Sequence, residues 1–364
     1  MANVTSILKK RIQNVRQNFL SQKIDCLLIA SPANISYLTG FMGEDSWLLV
    51  TGRTNILITD SRYTLQAEKQ CPNSKIYVRK GRMTEAITEI LKKYPDVRTA
   101  GIEDKIETGI YKTLKRKLPV LTKPVNHIVE SAREIKDYLE ISAIKKAAQI
   151  SKTAMEKILK HIRIGMTETH IAAMLDYEIK KTGANPAFET IVAFGTNSAM
   201  PHHSPTLRKL KKIDTILFDF GAKFNGYCSD LTRCFAVGKI NDFYAKVYKT
   251  VLEAQTVAIN MLKAGVDAKE VDAAAKQIIT SEKLPPYGHG LGHGLGIDVH
   301  EQPTVSYMSK SKLKTGNVIT VEPGVYIPNK FGIRIEDDVL ITDSGCEILS
   351  QLLKTDNVPL LKLA

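Results

Sequence analysis

None of the five cysteines (Cys26, Cys71, Cys228, Cys234, Cys346) falls in a Cys-x-x-Cys pair, and an odd, scattered set offers no disulfide framework. That usage suits a reducing cytoplasm. No stretch approaches the roughly 18 consecutive apolar residues of a membrane helix. The opening residues Met1 to Lys10 lack an apolar run behind a charge, so neither a membrane nor a secreted protein is expected. Aromatic residues make up only 7% of the chain and do not interleave with the basic ones. The net charge of +13 is therefore read as a solvated basic surface, with no nucleic acid among the expected partners. Two catalytic signatures are also missing. His300-Glu301 is followed by Gln302-Pro303-Thr304, which excludes the His-Glu-x-x-His zinc motif, and no Gly-Lys-Ser/Thr follows any glycine-rich run.

What is present is a soluble globular composition, 43% hydrophobic and 24% charged over 364 residues, enough for two domains. Residues 1–128 alternate helix-like and strand-like segments, as a small α/β domain would. A helix is expected from Ile7 to Leu20 and strands over Asp25–Ala30, Trp47–Thr51 and Asn55–Thr59. A helix near Arg62–Lys69, a strand at Lys75–Val78, a helix near Thr84–Lys93 and a strand ending at Glu103 follow. The carboxylates of Asp60, Glu103 and Asp104 sit at strand ends without clustered partners and are read as caps and turns. Pro124 to His127 reads as a linker, followed by a long helical region from Ser131 to His161 and a second domain over 129–364. Inside it, Ile164 to Ala173 matches Ala264 to Ala273 in pattern. Each copy runs helix, glycine-containing turn, capping Thr or Asp, then a second helix. A duplicated unit of this kind places a site between its halves.

Chemistry concentrates in Gly288 to Glu301, where His289, His293 and His300 stand among five glycines. Two acid-bearing hairpins flank this stretch. In the first, a Phe224-Asn225 loop sets Asp219 directly opposite Asp230, and an Asn225-Gly226 loop makes them diagonal neighbours; either register puts both on one face. In the second, a three-residue loop at Pro328-Asn329-Lys330 sets Glu322 opposite Glu336, with Arg334 on the face of Glu336. Like charges at that spacing call for a cation between them. Oxygen ligands with one imidazole suit two divalent ions, manganese or cobalt, with zinc an alternative. Such a pair can activate water and stabilise a developing oxyanion.

These motifs, Asp219-x10-Asp230, Gly-His-Gly-Leu-Gly-His293…Val-His300-Glu, Val-Glu322-Pro-Gly and Gly-Ile-Arg334-Ile-Glu336-Asp, resemble the pita-bread metallopeptidases over about residues 131–350. Tyr37-Leu-Thr-Gly-Phe41 and Asp60-Ser-Arg-Tyr63 resemble the creatinase-type N-terminal domain of the proline-specific branch, aminopeptidase P and prolidase. The resemblance implies an α+β protein, with a pseudo-symmetric pita-bread catalytic domain behind a smaller α/β creatinase-like domain. It also implies five metal ligands, Asp219, Asp230, His293, Glu322 and Glu336, with Asp230 and Glu336 bridging. Glu322 would also move protons, and His202, His289, His300 and Arg334 would contact substrate, His202 and His300 with a catalytic share. His203 and Cys228 are read as structural. The implied activity is metal-dependent removal of an N-terminal residue that precedes proline, from peptides with proline second, by a cytoplasmic homodimer. The Gly43 to Trp47 loop is the candidate for reaching the partner's site. The alternatives are a methionyl-aminopeptidase-like exopeptidase, disfavoured by the extra domain, and a non-catalytic peptide-binding protein on the same fold, disfavoured by the complete ligand set.

Overall fold

A computed structural model of the chain describes residues 2–352 and 354–361. It divides into two compact units that meet in sequence between Arg133 and Glu134. The first is a mixed six-stranded sheet. Its strands run, across the sheet, Lys75–Val78, Asn55–Thr59, Trp47–Thr51, Cys26–Ile29, Thr99–Glu103 and Leu121–Val125. Cys-Leu-Leu-Ile at its centre is buried on both faces, as an unbroken apolar run in a covered strand must be. One face packs Leu28, Leu49, Ile58 and Ile102 against Ile87, Leu91 and Leu114 of two helices. The helix Ala2–Gln22 buries Leu8, Ile12, Val15 and Phe19, a stripe at three- and four-residue spacing.

Three expectations change here. Pro124 does not sit in a linker: it is part of the strand Leu121–Val125, which among the described residues pairs only with Thr99–Glu103. At a sheet edge the N–H that proline lacks is not missed. The helix Ile128–Arg133 belongs to the first unit, five residues past the expected boundary. The long helical region is interrupted, and it restarts as Tyr138–Ile158 where Asp137 and Glu140 form a capping box. Asp60 and Glu103 do cap. Asp60 accepts from Arg62 N, and Glu103 accepts from Ala30 N, Ser31 N and Asn34 Nδ2.

The second unit is built twice. The helices Tyr138–Ile158 and Glu168–Lys180 cover the strands Ile191–Phe194, Asp214–Phe220 and Leu231–Val237, with Met155, Ile171 and Leu175 meeting Val192, Phe218 and Phe235. The helices Asp242–Met261 and Ala268–Ser281 cover Val318–Val321 and Asp337–Ile341, with Val251, Val271 and Ala275 meeting Ile319, Val321 and Val339. The turns into the second helix of each pair superpose bond for bond. Gly165 N donates to Leu210 O at 2.9 Å and Gly265 N to Leu313 O at 2.8 Å. Leu210 N and Leu313 N return the bond to Met166 and Val266. Both glycines are left-handed, at φ 86° and 90°.

A Cβ at either glycine would meet nothing within 4 Å, so its cost is conformational alone. Gly165→Ala and Gly265→Ala should each lose about 1–2 kcal/mol, and by similar amounts, in denaturant unfolding. No loss at either position would contradict the shared turn.

Candidate metal centre

The register of the first hairpin decides how its acids meet. Phe224 pairs with Tyr227 around an Asn225-Gly226 loop with φ 48° and 84°, a primed turn that this dipeptide favours. Asp219 accordingly pairs with Thr232, and Asp230 is its diagonal neighbour, so the directly opposed register is excluded. In the second hairpin Ile327 pairs with Phe331 and Gly324 with Arg334, and beyond them Val321 pairs with Asp337. Glu322 and Glu336 fall opposite each other on that register.

His293 comes from a strand of three residues, Gly292–Gly294, lying between Glu301–Val305 and Val318–Val321. A Cβ at Gly292 would fall 2.0 Å from Thr320 O, and one at Gly294 2.2 Å from Gln302 O. Only glycine lets this strand lie that close on both sides. Thr320 Oγ1 accepts from His293 N at 3.1 Å and contacts Glu322 Oε1 at 3.4 Å.

The result is a cavity of about 800 Å³. Asp219, Asp230, His293, Glu322, Glu336, His202, His289, His300 and Arg334 all line it. Ligand atoms of Asp230, His293 and Glu336 lie within 4.8 Å of one another. His293 Nε2 is 3.4 Å from Glu322 and 3.8 Å from Asp230. Arg334 binds Asp219 at 2.6 Å, the Tyr326 hydroxyl at 2.7 Å and Thr232 Oγ1 at 3.0 Å, and Thr232 donates to Glu336 at 2.6 Å. His202 and His300 are exposed to the cavity. His300 packs edge-on to His293 at 4.4 Å. His289 is differently placed, because both its ring nitrogens bond within the protein, Nδ1 to Gly290 O and Nε2 to the Tyr326 hydroxyl. His203 is buried and bonded to Glu168 at 2.9 Å, although it also borders the cavity. Cys228 is buried, with its sulfur on Ile297 O.

Electrostatics set the character of the place. Burial, then Glu336 and Asp219, push Asp230 well above the usual carboxylate range. Burial, then Glu322 and Asp219, do the same to Glu336. Burial, opposed by Arg334 and helped by Asp219, pushes Glu322 up to about 8. Burial, with His300 adding to it, pulls His293 down to about 4, keeping a neutral imidazole. Asp219 Oδ1 is buried and has no hydrogen-bond partner among the described residues. An orphaned acceptor beside crowded carboxylates and a neutral imidazole is the donor set a divalent cation satisfies, so these residues fit a metal.

Several contributors were invisible in the linear pattern. Tyr326 and Thr232 bond Arg334, Thr232 also bonds Glu336, and Thr320 bonds His293 N, although none of the three stands out in the sequence. Asp338 accepts from Asp230 N at 3.1 Å. Arg233, almost fully buried, grips Asp337 at 2.6 Å and the carbonyl of Glu336. The one sequence signal for that pair was charge within two largely apolar strands, Arg233 in Leu231–Val237 and Asp337 in Asp337–Ile341.

Carboxylates and histidines that line one cavity, with a donor set that fits a divalent cation, make this a candidate site for a metal-dependent enzyme. Residues 142–343 match the description Metallopeptidase family M24, and residues 11–135 match the Creatinase/Prolidase N-terminal domain. The chain is 36% identical to the Xaa-Pro dipeptidase of Pyrococcus furiosus, covering 94% of this chain and 98% of that one. It is equally 36% identical to a putative Xaa-Pro aminopeptidase of Mycoplasma pneumoniae, over 92% and 95%. Among solved structures, an Xaa-Pro dipeptidase from Bacillus anthracis superposes with a TM-score of 0.94 at 34% identity, covering 97% of this chain and all of that one. The protein belongs to metallopeptidase family M24, with a creatinase-type N-terminal domain before the pita-bread domain.

The acid cluster makes metal-free stability pH-dependent with a definite sign. Glu322 rises from 4.5 to about 8 on folding, so the folded chain holds this proton more tightly than the unfolded one. The resulting stability is complete below pH 4.5 and is lost as pH rises through about 8. Above the range where His293 and His289 contribute with the opposite sign, the melting temperature of chelator-treated protein should therefore fall between about pH 7 and about pH 9, and added divalent metal should restore it with release of protons. A metal-free melting temperature that climbs over this window would contradict the cluster.

Proposed function

We propose that this cavity hydrolyses the bond between an N-terminal residue and a following proline, with two divalent ions held by Asp219, Asp230, His293, Glu322 and Glu336. Manganese is the first candidate metal, then cobalt or zinc. The observation that carries the reading is the convergence of Asp230, His293 and Glu336 within 4.8 Å, on the wall of a cavity that His202, His300 and Arg334 also line. When bound, the metals supply Lewis-acid polarisation of the scissile carbonyl and acidify water.

The residues do the rest. The substrate's proline nitrogen, like any departing peptide nitrogen, must be given a proton to leave. Glu322, as a carboxylate at the metal centre, takes the proton of the attacking water and delivers it to that nitrogen. His202 and His300, on open faces of the cavity, donate to the tetrahedral oxyanion and the substrate backbone. The free α-amine of the substrate meets the carboxylate cluster, which confines cleavage to the chain end. Arg334 keeps Asp219 and Tyr326 in place, and His289 walls the substrate site with its ring. We extend the proposal to a cytoplasmic homodimer. Five free thiols suit that compartment, and no helix of the described residues is long and apolar enough to cross a membrane. The homodimer itself rests on the family resemblance.

Removing metal should abolish turnover of Xaa-Pro peptides reversibly, while Met-Ala peptides remain poor substrates. A preference for Met-Ala would overturn the proline-specific reading. Asp230→Asn and Glu336→Gln should lose bound metal. Glu322→Gln should lose roughly 10²–10⁴-fold in kcat even in samples that retain metal. Wild-type rates in metal-loaded Glu322→Gln would remove its proton-transfer role.

Substrate length follows from Arg334. A dipeptidase clamps the carboxylate next to the scissile bond, best with a guanidinium fork. Arg334 is committed to Asp219, Tyr326 and Thr232, and residues 302 to 314 contain Lys310, Lys312 and Lys314 but no arginine. An Xaa-Pro dipeptide extended by two residues should therefore show kcat/KM at least equal to the dipeptide's. A dipeptide preference of about tenfold or more, about 1.4 kcal/mol, would reveal a carboxylate clamp elsewhere.

A further inference from the structure

Two buried carboxylates outside the metal cluster occupy the internal repeat, and each has alanine as its counterpart. Glu168 corresponds to Ala268, and Asp272 to Ala172. The repeated architecture needs neither acid. Glu168 N bonds Arg208 O just as Ala268 N bonds Ser311 O, and the turn before each helix is the same in both halves. A fully buried carboxylate is costly unless its partners are complete, so each acid must be retained for what it holds in its own half.

Glu168, fully enclosed, has complete partners. Oε1 accepts from Phe194 N at 2.7 Å and Asn197 Nδ2 at 2.9 Å. Oε2 accepts from His203 Nε2 at 2.9 Å, Thr206 N at 2.9 Å and Thr206 Oγ1 at 2.6 Å. Every donor lies in residues 194–206, the segment that presents His202 to the cavity. Asp272 accepts from Lys276 at 2.9 Å and from the Tyr287 hydroxyl at 3.1 Å. The Tyr287 ring stacks on His289 with centroids 5.0 Å apart. His289 bonds the Tyr326 hydroxyl at 3.2 Å, which accepts from Arg334, which holds Asp219.

We propose that Glu168 and Asp272 are positioning residues, one for each half of the duplicated unit. Glu168 sets His202 through His203 and Thr206. Asp272 sets His289, and through Tyr326 and Arg334 the orientation of Asp219, by way of Tyr287. The duplicated fold is symmetric, and these two acids make its two histidine-bearing walls different.

The test uses Glu168→Gln and Asp272→Asn in the full-length, metal-loaded protein. Its kinetic arm rests on the peptidase reading. Each variant should lose roughly 10- to 100-fold in kcat on an Xaa-Pro peptide, with KM moving less than about threefold and metal per chain unchanged. Tyr287→Phe should reproduce Asp272→Asn, and the double variant should be no worse than either single. A second readout is independent of substrate. The histidine ring resonances of His202 and His203 should shift in Glu168→Gln, that of His289 in Asp272→Asn, and neither set in the other variant. Where a carboxylate variant does not fold, Thr206→Val and Tyr287→Phe, each removing one hydroxyl donor, carry the same test. Turnover within about twofold of wild type in folded, metal-loaded variants, or ring resonances unmoved, would overturn the proposal. If the wild-type protein cleaves no Xaa-Pro peptide, the functional reading fails and the ring resonances alone decide the positioning role.

Discussion

Asp219, Asp230, Glu322 and Glu336 crowd one cavity wall, and their mutual repulsion is what the rest of the second unit answers to. Two like charges about 4 Å apart cost on the order of 4 kcal/mol at an effective dielectric near 20. The nearest guanidinium, Arg334, is already engaged by Asp219. Protons relieve the crowding in the metal-free protein, as the raised ranges of Asp230, Glu322 and Glu336 indicate. A divalent cation relieves it better, because it binds several carboxylates at once and also satisfies the orphaned Asp219 Oδ1.

The duplicated architecture holds that repulsion in place. Each half contributes one hairpin with acids on its inner face, and each hairpin is backed by a helix pair whose apolar stripe closes the core behind it. Asp219 and His293 lie in strands, and Asp230, Glu322 and Glu336 stand at breaks directly beside strands, so strand register sets the positions of all five. Arg233, gripping Asp337 and the Glu336 carbonyl, and Thr232, bonded to both Glu336 and Arg334, tie the hairpins together across the site. Burial opposes the ionisation of Asp337, yet Arg233 and Lys354 hold it below the usual carboxylate range. The strand beside Glu336 is thus pinned by a satisfied buried charge.

Much of this was legible in the residue pattern because it depends on short-range rules. Strand alternation put the acids on one face, Asn225-Gly226 and Pro328-Asn329-Lys330 marked the hairpin loops, and the glycines at 165 and 265 marked the repeat. Illegible were the features that depend on which distant strands become neighbours. The edge position of Leu121–Val125, which made Pro124 acceptable in a strand, is not contained in local sequence. The same holds for Tyr326, Thr232, Glu168 and Asp272. Their side chains are ordinary, and only the folded chain shows that they stand behind the histidines and ligands.

The central claim is that five residues from two hairpins and the glycine-rich strand form one receptor for two cations. Crystals soaked with manganese and measured on either side of its absorption edge test this directly. The account predicts two anomalous peaks in the cavity, both within bonding distance of the Asp230 and Glu336 carboxylates, with His293 and Glu322 at one and Asp219 at the other. A single peak, or peaks away from these carboxylates, would contradict it.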